Sequence, residues 1–337
     1  MCIRDRYESS GDQYLDFGSG IAVNSLGYGN EYLNEKLMEQ ANKLWLVSNV
    51  SQIPEQERLA KRLCENCFAD YVFFCNSGAE SVEAAIKIAR RYFYITEDSK
   101  QKNEIITFSG SFHGRTLGAL AAGGIDKLEG FNTEMSGFTQ LKFGDHDALK
   151  KSISDKTAAI LVEPIQGEGG IVPCDEAYLQ EVRDICNKQN ILLMIDEVQS
   201  GFCRTGRWFG YQHSGISPDV VMVAKALGNG VPIGACLARG SAAHVLTAGM
   251  HGSTFGGNFL STSVGLKVLD IMRDKRLCQH VTATSKAMQD YMETKLRKLE
   301  TVQEIRVCGL MIGIELKENC TDLVKKALDK GLSLIHI

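Results

Sequence analysis

The chain has 337 residues, of which 44% are hydrophobic and 23% charged, and its formal net charge is −4 at pH 7. A single hydrophobic core rarely grows beyond roughly 250–300 residues, so this length predicts about two domains. The composition is close to the globular average and argues against a disordered or fibrous chain. Lysine and arginine are scattered, and no apolar run is long enough to span a bilayer. We therefore expect a cytoplasmic protein with no nucleic-acid or membrane partner.

Eleven cysteines are spread along the chain. No apolar segment near Met1 resembles a secretory signal, so nothing indicates an oxidising compartment. Cys64 and Cys67 form a C-x-x-C pair, but the second pair or nearby histidine that a zinc site needs does not accompany them. The spacing of Leu59, Leu63 and Cys67 instead predicts an amphipathic helix. We expect reduced, buried thiols and no metal site.

Short apolar strands alternate with amphipathic helices along the chain. The sequence predicts strands at residues 71–75, 104–108, 158–162, 191–195, 220–223 and 310–316. It predicts helices at residues 77–94, 176–188, 262–273 and 281–299. This alternation is typical of an α/β protein with a mostly parallel sheet covered on both faces. We expect an N-terminal segment at 1–50, a large α/β domain at 51–270 and a partial C-terminal domain at 271–337.

The first candidate site lies where a predicted strand meets a predicted helix, at residues 75–80. Gly78 allows a tight turn, and Ser77 and Glu80 have the spacing of a capping box. The first turn of a helix offers free N–H groups and a positive dipole end, which can bind a phosphate. An ordinary capped helix explains the same residues, and the G-x-G-x-x-G pattern of a dinucleotide site is absent here.

Two polar residues follow predicted strands. Asp196 could bind a protonated ring nitrogen, Mg²⁺ or a ribose at a strand's carboxyl end, or it could cap the next turn. Lys225 precedes a glycine-rich turn, where partial burial would lower its pKa as a Schiff-base lysine requires, unless its amine reaches the surface. Together with the helix start, these residues suit pyridoxal 5′-phosphate (PLP), which needs an anion site, a carboxylate and a lysine.

The same residues belong to motifs that cover most of the chain. From Tyr14 to about Leu316, the sequence resembles the class III, fold type I aminotransferases, and most of all the bacterial N-acetylornithine aminotransferases. The motifs are YLDFGSGIAVN at 14–24, NSGAE at 76–80, FHGRT at 112–116, EPIQGEGG at 163–170, DEVQSG at 196–201, RTG at 204–206, AKALG at 224–228, PIGA at 232–235 and HGSTFGGN at 251–258. The resemblance implies a large domain around a mostly parallel mixed sheet and a smaller domain built from the N- and C-terminal segments.

The resemblance also implies the role of each residue toward the cofactor. Lys225 would bind the PLP aldehyde and then move a proton between the substrate carbon and the cofactor, while Asp196 would pair with the pyridine nitrogen. Phe112 would stack on the ring and Gln199 would reach the phenolic oxygen. The implied cofactor-binding residues are Gly78, Ala79, Phe112, Asp196, Gln199, Lys225 and Thr254, of which Gly78, Ala79 and Thr254 would bind the phosphate.

Three further residues would bind substrate by the same resemblance. Arg115 would bind the α-carboxylate, and Ser253, like Thr254, would act across a subunit boundary, which implies a homodimer with shared sites. In the related ornithine and 4-aminobutyrate enzymes, a glutamate at the position of Glu168 pairs with a C-terminal arginine. No matching arginine follows here, because the family's closing segment is missing after residue 332. His113 is interpreted as structural.

The implied reaction is a ping-pong transamination that belongs to arginine biosynthesis. N2-acetylornithine would leave as N-acetylglutamate 5-semialdehyde, and 2-oxoglutarate would then take the amino group and leave as glutamate. Ornithine, succinylornithine, acetyldiaminopimelate and 4-aminobutyrate remain alternative donors, since Leu46 and Val47 stand where the acetylornithine group usually has His-Thr. A truncated, inactive cofactor-binding fragment remains an alternative of another class. Residues 1–6 and 333–337 resemble nothing in the family and are expected to be foreign ends.

Overall fold

The computed structural model describes residues 5–7, 11–48, 50–124, 129–131 and 135–335, so parts of the two ends expected to be foreign, 1–4 and 336–337, lie outside it. Its strands are β1 (Asp5–Tyr7), β2 (Gln13–Asp16), β3 (Tyr71–Cys75), β4 (Glu104–Phe108), β5 (Phe138–Leu141), β6 (Thr157–Val162), β7 (Ile165–Gln166), β8 (Val172–Pro173), β9 (Leu192–Asp196), β10 (Val220–Val223), β11 (Gly234–Ala238), β12 (Val302–Cys308), β13 (Met311–Leu316) and β14 (Leu332–Ser333). Its helices are α1 (Ser19–Ala22), α2 (Glu31–Ala41), α3 (Pro54–Glu65), α4 (Gly78–Thr96), α5 (Leu117–Gly123), α6 (His146–Ser152), α7 (Glu176–Gln189), α8 (Phe259–Asp274), α9 (Leu277–Lys295) and α10 (Thr321–Leu328).

A seven-stranded sheet in the order β3-β11-β10-β9-β6-β4-β5 forms the centre of the molecule. Only β11 runs antiparallel to its neighbours in this sheet, and the other neighbouring pairs are parallel. Strands β6, β9, β10 and β11 are buried along their whole length, as expected where helices cover both faces. The predicted α/β class with a mostly parallel mixed sheet is confirmed.

Alternation of side chains along the central strands divides the core into two layers. In β10, Val221 and Val223 point to one layer, where Tyr178 of α7 packs, and Val220 and Met222 point to the other layer, which contains α4. Three of the six α4 residues in that layer are small: Ala84, Ala85 and Ala89. Small side chains let this helix lie close to the sheet, which fixes where its first turn begins.

The six strands predicted from the apolar pattern all correspond to strands of the structure. Those at 71–75, 104–108 and 220–223 agree in both bounds, and the helix predicted at 281–299 begins earlier, at Leu277. One local prediction was wrong, because α3 ends at Glu65 and Cys67 lies beyond it, with its N–H donating to the Cys64 carbonyl. The elements that the pattern did not predict are β1, β2, β5, β7, β8, β11, β12, β14, α1, α2, α5, α6 and α10.

The N- and C-terminal segments meet in a small separate sheet. Strand β2 pairs with β14 in parallel, with Leu15 opposite Leu332, and β12 and β13 form an antiparallel pair. The domain boundaries at 50 and 270 stay a prediction, and α8 continues through residue 270. Within the described residues, no helix is long and apolar enough to cross a membrane, and no cluster of three metal-binding side chains occurs.

Candidate active site

A cavity of about 330 Å³ lies at the carboxyl ends of β9 and β10, beside the first turn of α4. This is the edge at which open α/β sheets bind ligands, because the loops that follow parallel strands converge there. The residues predicted from the sequence that line it are Gly78, Ala79, Phe112, Glu168, Asp196, Gln199 and Lys225.

Lys225 enters this cavity from a strained position just after β10. Its φ is 45°, in the left-handed region, and it begins a short 3₁₀ turn, Lys225–Leu227. The side chain is half-buried, and burial lowers the pKa of its amine although the carboxylates of Asp196 and Glu168 oppose the shift. A lowered pKa increases the fraction of neutral amine, which is the nucleophilic form.

Asp196, the last residue of β9, is held in a fixed orientation. Its Oδ2 lies 2.8 Å from Nδ1 of His113, and its Oδ1 accepts a hydrogen bond of 3.0 Å from the N–H of Val198. Both side chains are buried, with exposed fractions of 5% for Asp196 and 3% for His113. His113 was interpreted as structural, and the structure gives it a defined task as the partner of the cavity's carboxylate.

Glu163 is a buried carboxyl group of the cavity that the sequence argument did not single out. It directly follows β6 and accepts a hydrogen bond of 2.8 Å from the N–H of Phe112. Burial raises its pKa to about 7, although the neighbouring His113 opposes the shift. The signal that marked Asp196, an acidic residue at the end of an apolar strand, was also present here.

The first turn of α4, which follows β3, lines another part of the cavity. Ser77 caps the helix, with its Oγ accepting from the N–H of Glu80 at 3.2 Å. The Glu80 side chain accepts from the N–H of Asn76 and not from that of Ser77, so only one half of the predicted capping box is present. The N–H groups of Gly78 and Ala79 lie in the first turn, where an α-helix provides no internal acceptor. A Cβ added to Gly78 would lie 2.8 Å from Cγ1 of Val198, which shows how closely this turn approaches the loop after β9.

Arg115, Ser253 and Thr254 do not line the cavity. Arg115 is exposed, and its guanidinium carbon lies 5.5 Å from the centre of the Phe112 ring. Ser253 accepts hydrogen bonds from the Asn76 side chain at 3.2 Å and from the N–H of Gly256 at 2.9 Å, and Thr254 is exposed. Sequence patterns did not predict the apolar part of the wall: Val23, Val198, Val231, Pro232 and Ile233.

The groups that line the cavity fit PLP. The first turn of α4 suits the phosphate, the oriented Asp196 suits the pyridine nitrogen, and Lys225 offers an amine to the aldehyde. The three lie on one cavity although they come from distant parts of the chain.

Comparison with known proteins is consistent with this geometry, since residues 6–337 match the sequence model of the family described as aminotransferase class III. The matched range includes residues 333–337, in disagreement with the expectation that this end resembles nothing in the family. The chain belongs to the class III aminotransferases. It is 49% identical over 324 residues to an acetylornithine aminotransferase of Brucella melitensis, a match that covers 96% of this chain and 80% of the relative.

Solved structures of class III aminotransferases share the fold over nearly the whole chain. An ornithine aminotransferase from Toxoplasma gondii, with PLP at partial occupancy in its active site, has a TM-score of 0.95 at 30% identity, covering 98% of this chain and 81% of the other. An N-acetylornithine aminotransferase from Stenotrophomonas maltophilia has a TM-score of 0.86 at 34% identity, covering 99% and 85%. PLP dependence is a property of the family, so the fit of the cavity to PLP is the expected one.

Proposed function

We propose that this class III aminotransferase uses PLP to transfer the amino group of N2-acetylornithine to 2-oxoglutarate. The products are N-acetylglutamate 5-semialdehyde and glutamate. The observation that supports the chemistry is the convergence of Lys225, Asp196 and the first turn of α4 on one cavity. The choice of donor is supported by 49% identity to an acetylornithine aminotransferase, against 30% to the ornithine aminotransferase with the high TM-score.

Each cofactor contact is assigned to a group of the cavity. The N–H groups of Gly78 and Ala79 bind the phosphate, and Asp196 pairs with the pyridine nitrogen. Phe112 packs on the ring, and Gln199 contacts the phenolic oxygen. When bound, PLP supplies an aldehyde and an electron-accepting ring.

Lys225 carries the proton transfer in this proposal. Its amine, whose pKa is lowered by burial, can take a proton from the substrate carbon and return it to the other end of the reacting system. Asp196 is held beside the pyridine nitrogen, because His113 and the N–H of Val198 contact its two oxygens. The apolar wall, which includes Val231, keeps the surroundings of the amine poorly hydrated.

Turnover is the first test of the proposal. Without an oxo acid, the holoenzyme should release about one N-acetylglutamate 5-semialdehyde per chain, and addition of 2-oxoglutarate should start repeated turnover with formation of glutamate. Lys225→Ala should abolish both signals, whereas Lys286→Ala, at an exposed lysine of α9, should retain them. Mass spectrometry of the products would measure both. A burst with ornithine or 4-aminobutyrate but none with N2-acetylornithine would refute the donor and keep the chemistry.

We also propose that the active enzyme is a homodimer in which Thr254 binds phosphate and Ser253 contacts substrate in the partner's site, while Arg115 binds the substrate α-carboxylate. Thr254 is exposed and lies beside Phe255, whose exposed fraction is 61%. Trp45, which is 60% exposed, is nearby, since its carbonyl accepts a hydrogen bond from the N–H of Phe259. Exposed apolar side chains of this size are typical of an interaction surface.

Subunit complementation tests the shared site. Lys225→Ala and Thr254→Ala chains should each be poorly active alone. In a mixed dimer, one site combines the intact lysine of one chain with the intact threonine of the other, so random mixing should restore about a quarter of wild-type activity. No recovery in dimers whose exchange is verified would show that Thr254 acts within its own chain.

A further inference from the structure

Cys203 and Cys278 form a close pair of thiols outside the cavity. Cys203 lies in the loop that follows β9 and is buried, with an exposed fraction of 1%. Cys278 lies in the first turn of α9 and is half-buried. Their Sγ atoms are 3.1 Å apart, although the residues are 75 positions apart in the chain. The two side chains therefore point at each other across the junction between the loop and the helix.

Hydrogen bonds hold the backbone of both cysteines in place. The φ of Cys203 is 65°, in the left-handed region that non-glycine residues rarely adopt, and its carbonyl accepts a hydrogen bond of 3.0 Å from the N–H of Gly206. Cys278 sits in regular helix, and its carbonyl accepts from the hydroxyl of Thr282 at 3.0 Å. A disulfide has an S–S length of about 2.0 Å, so the two Sγ atoms need to approach by only about 1 Å.

The two thiols are not equivalent. The hydrogen bond with Cys203 and the charge of Arg207 lower the pKa of Cys278, whereas the same hydrogen bond and burial raise the pKa of Cys203. The more acidic thiol is also the one that reaches solvent. This asymmetry is what an attacking thiolate and a resolving thiol require.

We propose that Cys203 and Cys278 form a dithiol site that a small organic disulfide oxidises to an intramolecular disulfide, which ties the loop after β9 to α9. The Cys278 thiolate attacks one sulfur of the oxidant, the oxidant's S–S bond breaks, and one thiolate leaves and takes a proton from solvent. Cys203 then loses its proton to solvent and attacks Sγ of Cys278, which displaces the second thiolate. The two protein thiols lose two electrons in total, and the small disulfide is reduced to two thiols.

The bond would fasten a loop that already contacts two other segments. Arg204 donates from Nη2 to the hydroxyl of Ser25 at 2.8 Å, and its carbonyl accepts from the N–H of Leu310 at 2.9 Å. The loop thus contacts the N-terminal segment and the turn between β12 and β13. Closing a loop of 75 residues by a covalent bond restricts the unfolded chain, so the oxidised protein should be the more thermostable form.

Peptide mapping tests the proposal directly. The holoenzyme would be incubated with glutathione disulfide, its remaining thiols blocked with N-ethylmaleimide, and the protein digested with trypsin without reduction. Cleavage after lysine and arginine places Cys203 in peptide 189–204 and Cys278 in peptide 277–286, with one cysteine in each. We expect these two peptides to be linked, and the link to disappear after dithiothreitol.

Cysteine variants and thermal melting of the protein distinguish the expected result from those that would overturn the proposal. Cys278→Ser and Cys203→Ser should abolish the link, whereas Cys64→Ser, at another half-buried cysteine, should leave it intact. Oxidation should raise the melting midpoint of the wild type by about 5 °C and leave that of Cys278→Ser unchanged. Two separately blocked peptides in the wild type would overturn the proposal, and so would a lasting mixed disulfide at Cys278. A link found only in protein that no longer melts cooperatively would also overturn it.

Discussion

The hydrogen bond between His113 and Asp196 should be required for turnover at the active site. Nδ1 of His113 lies 2.8 Å from Oδ2 of Asp196, and the other oxygen of the carboxylate is held only by the N–H of Val198 within the described contacts. Leucine at position 113 would remove the side-chain donor. Asparagine, which has nearly the same shape as leucine, carries its amide nitrogen about where Nδ1 is and would keep a donor.

The expected loss of activity in His113→Leu follows from the burial of His113 and Asp196. A hydrogen bond to an ionised group contributes about 1.5–3 kcal/mol, and because both side chains are buried, water cannot replace the lost donor. A factor of ten corresponds to about 1.4 kcal/mol, so His113→Leu should lower kcat by about 10- to 150-fold. His113 acts through Asp196 and is a positioning residue, so affinity for PLP should fall together with kcat, while KM for the amino donor changes little.

Steady-state kinetics and equilibrium dialysis of PLP would measure both effects, with circular dichroism to verify folding. His113→Asn should recover most of the loss. His146→Ala is the matched control, because His146 also pairs with a carboxylate, that of Glu181, but on an exposed surface. It should leave kcat within about twofold of wild type. A folded His113→Leu enzyme within about threefold of wild type, or a His113→Asn enzyme as slow as His113→Leu, would refute the reasoning.

Three further predictions concern steric crowding at Gly78, the pH dependence of the free energy of unfolding, and a buried ion pair. Gly78→Ala places a Cβ 2.8 Å from Cγ1 of Val198 and should weaken PLP binding about 10-fold, and adding Val198→Ala should restore binding; unchanged affinity in Gly78→Ala would contradict this. The pKa of Glu163 is raised by burial from 4.5 to about 7, so the native state holds more protons than the unfolded chain and the free energy of unfolding should fall as pH rises through this window. Glu163→Gln should remove that part of the slope when urea unfolding is measured at about pH 5 and about pH 8, and an unchanged slope would contradict the shift. Asp219→Ala removes the carboxylate whose Oδ2 lies 2.8 Å from Nη1 of the buried Arg183, and it should cost about 3–5 kcal/mol of unfolding free energy. Asp270→Ala, which breaks a more exposed pair, should cost less than about 1 kcal/mol, and equal costs would contradict the role of burial.

Elements with a strong apolar period could be predicted from the sequence, and those that depend on tertiary contacts could not. Strand β10 consists of Val-Val-Met-Val, and the prediction matched its bounds. Strand β11 consists of Gly-Ala-Cys-Leu-Ala, whose small residues have low strand propensity, yet it is buried between β3 and β10. Its pairing on both edges, which no local pattern shows, makes it a strand.

The site was predictable where one residue type at one position suggests a chemistry, as for Lys225 and Asp196. It was not predictable where the task arises from a contact between distant segments. His113 and Asp196 are 83 residues apart, and only the folded chain shows that one orients the other. Arg115, Ser253 and Thr254 came from the family resemblance, and their roles stay predictions because they lie outside the cavity of a single chain.

The position of β11 explains why a poorly patterned strand belongs at the centre of this site. Asp196 ends β9 and Lys225 follows β10, its parallel neighbour, in which Met222 lies opposite Asp196. Both side chains therefore reach the same edge of the sheet. The first turn of α4 follows β3, which β11 separates from β10. A Cβ on Gly234 of β11 would lie 2.3 Å from the carbonyl oxygen of Ser77, the residue that caps α4. A larger residue at position 234 would therefore push the first turn of α4, the proposed phosphate site, away from the sheet. The glycine that weakens the strand pattern of β11 is thus the residue that lets this turn lie close to the sheet.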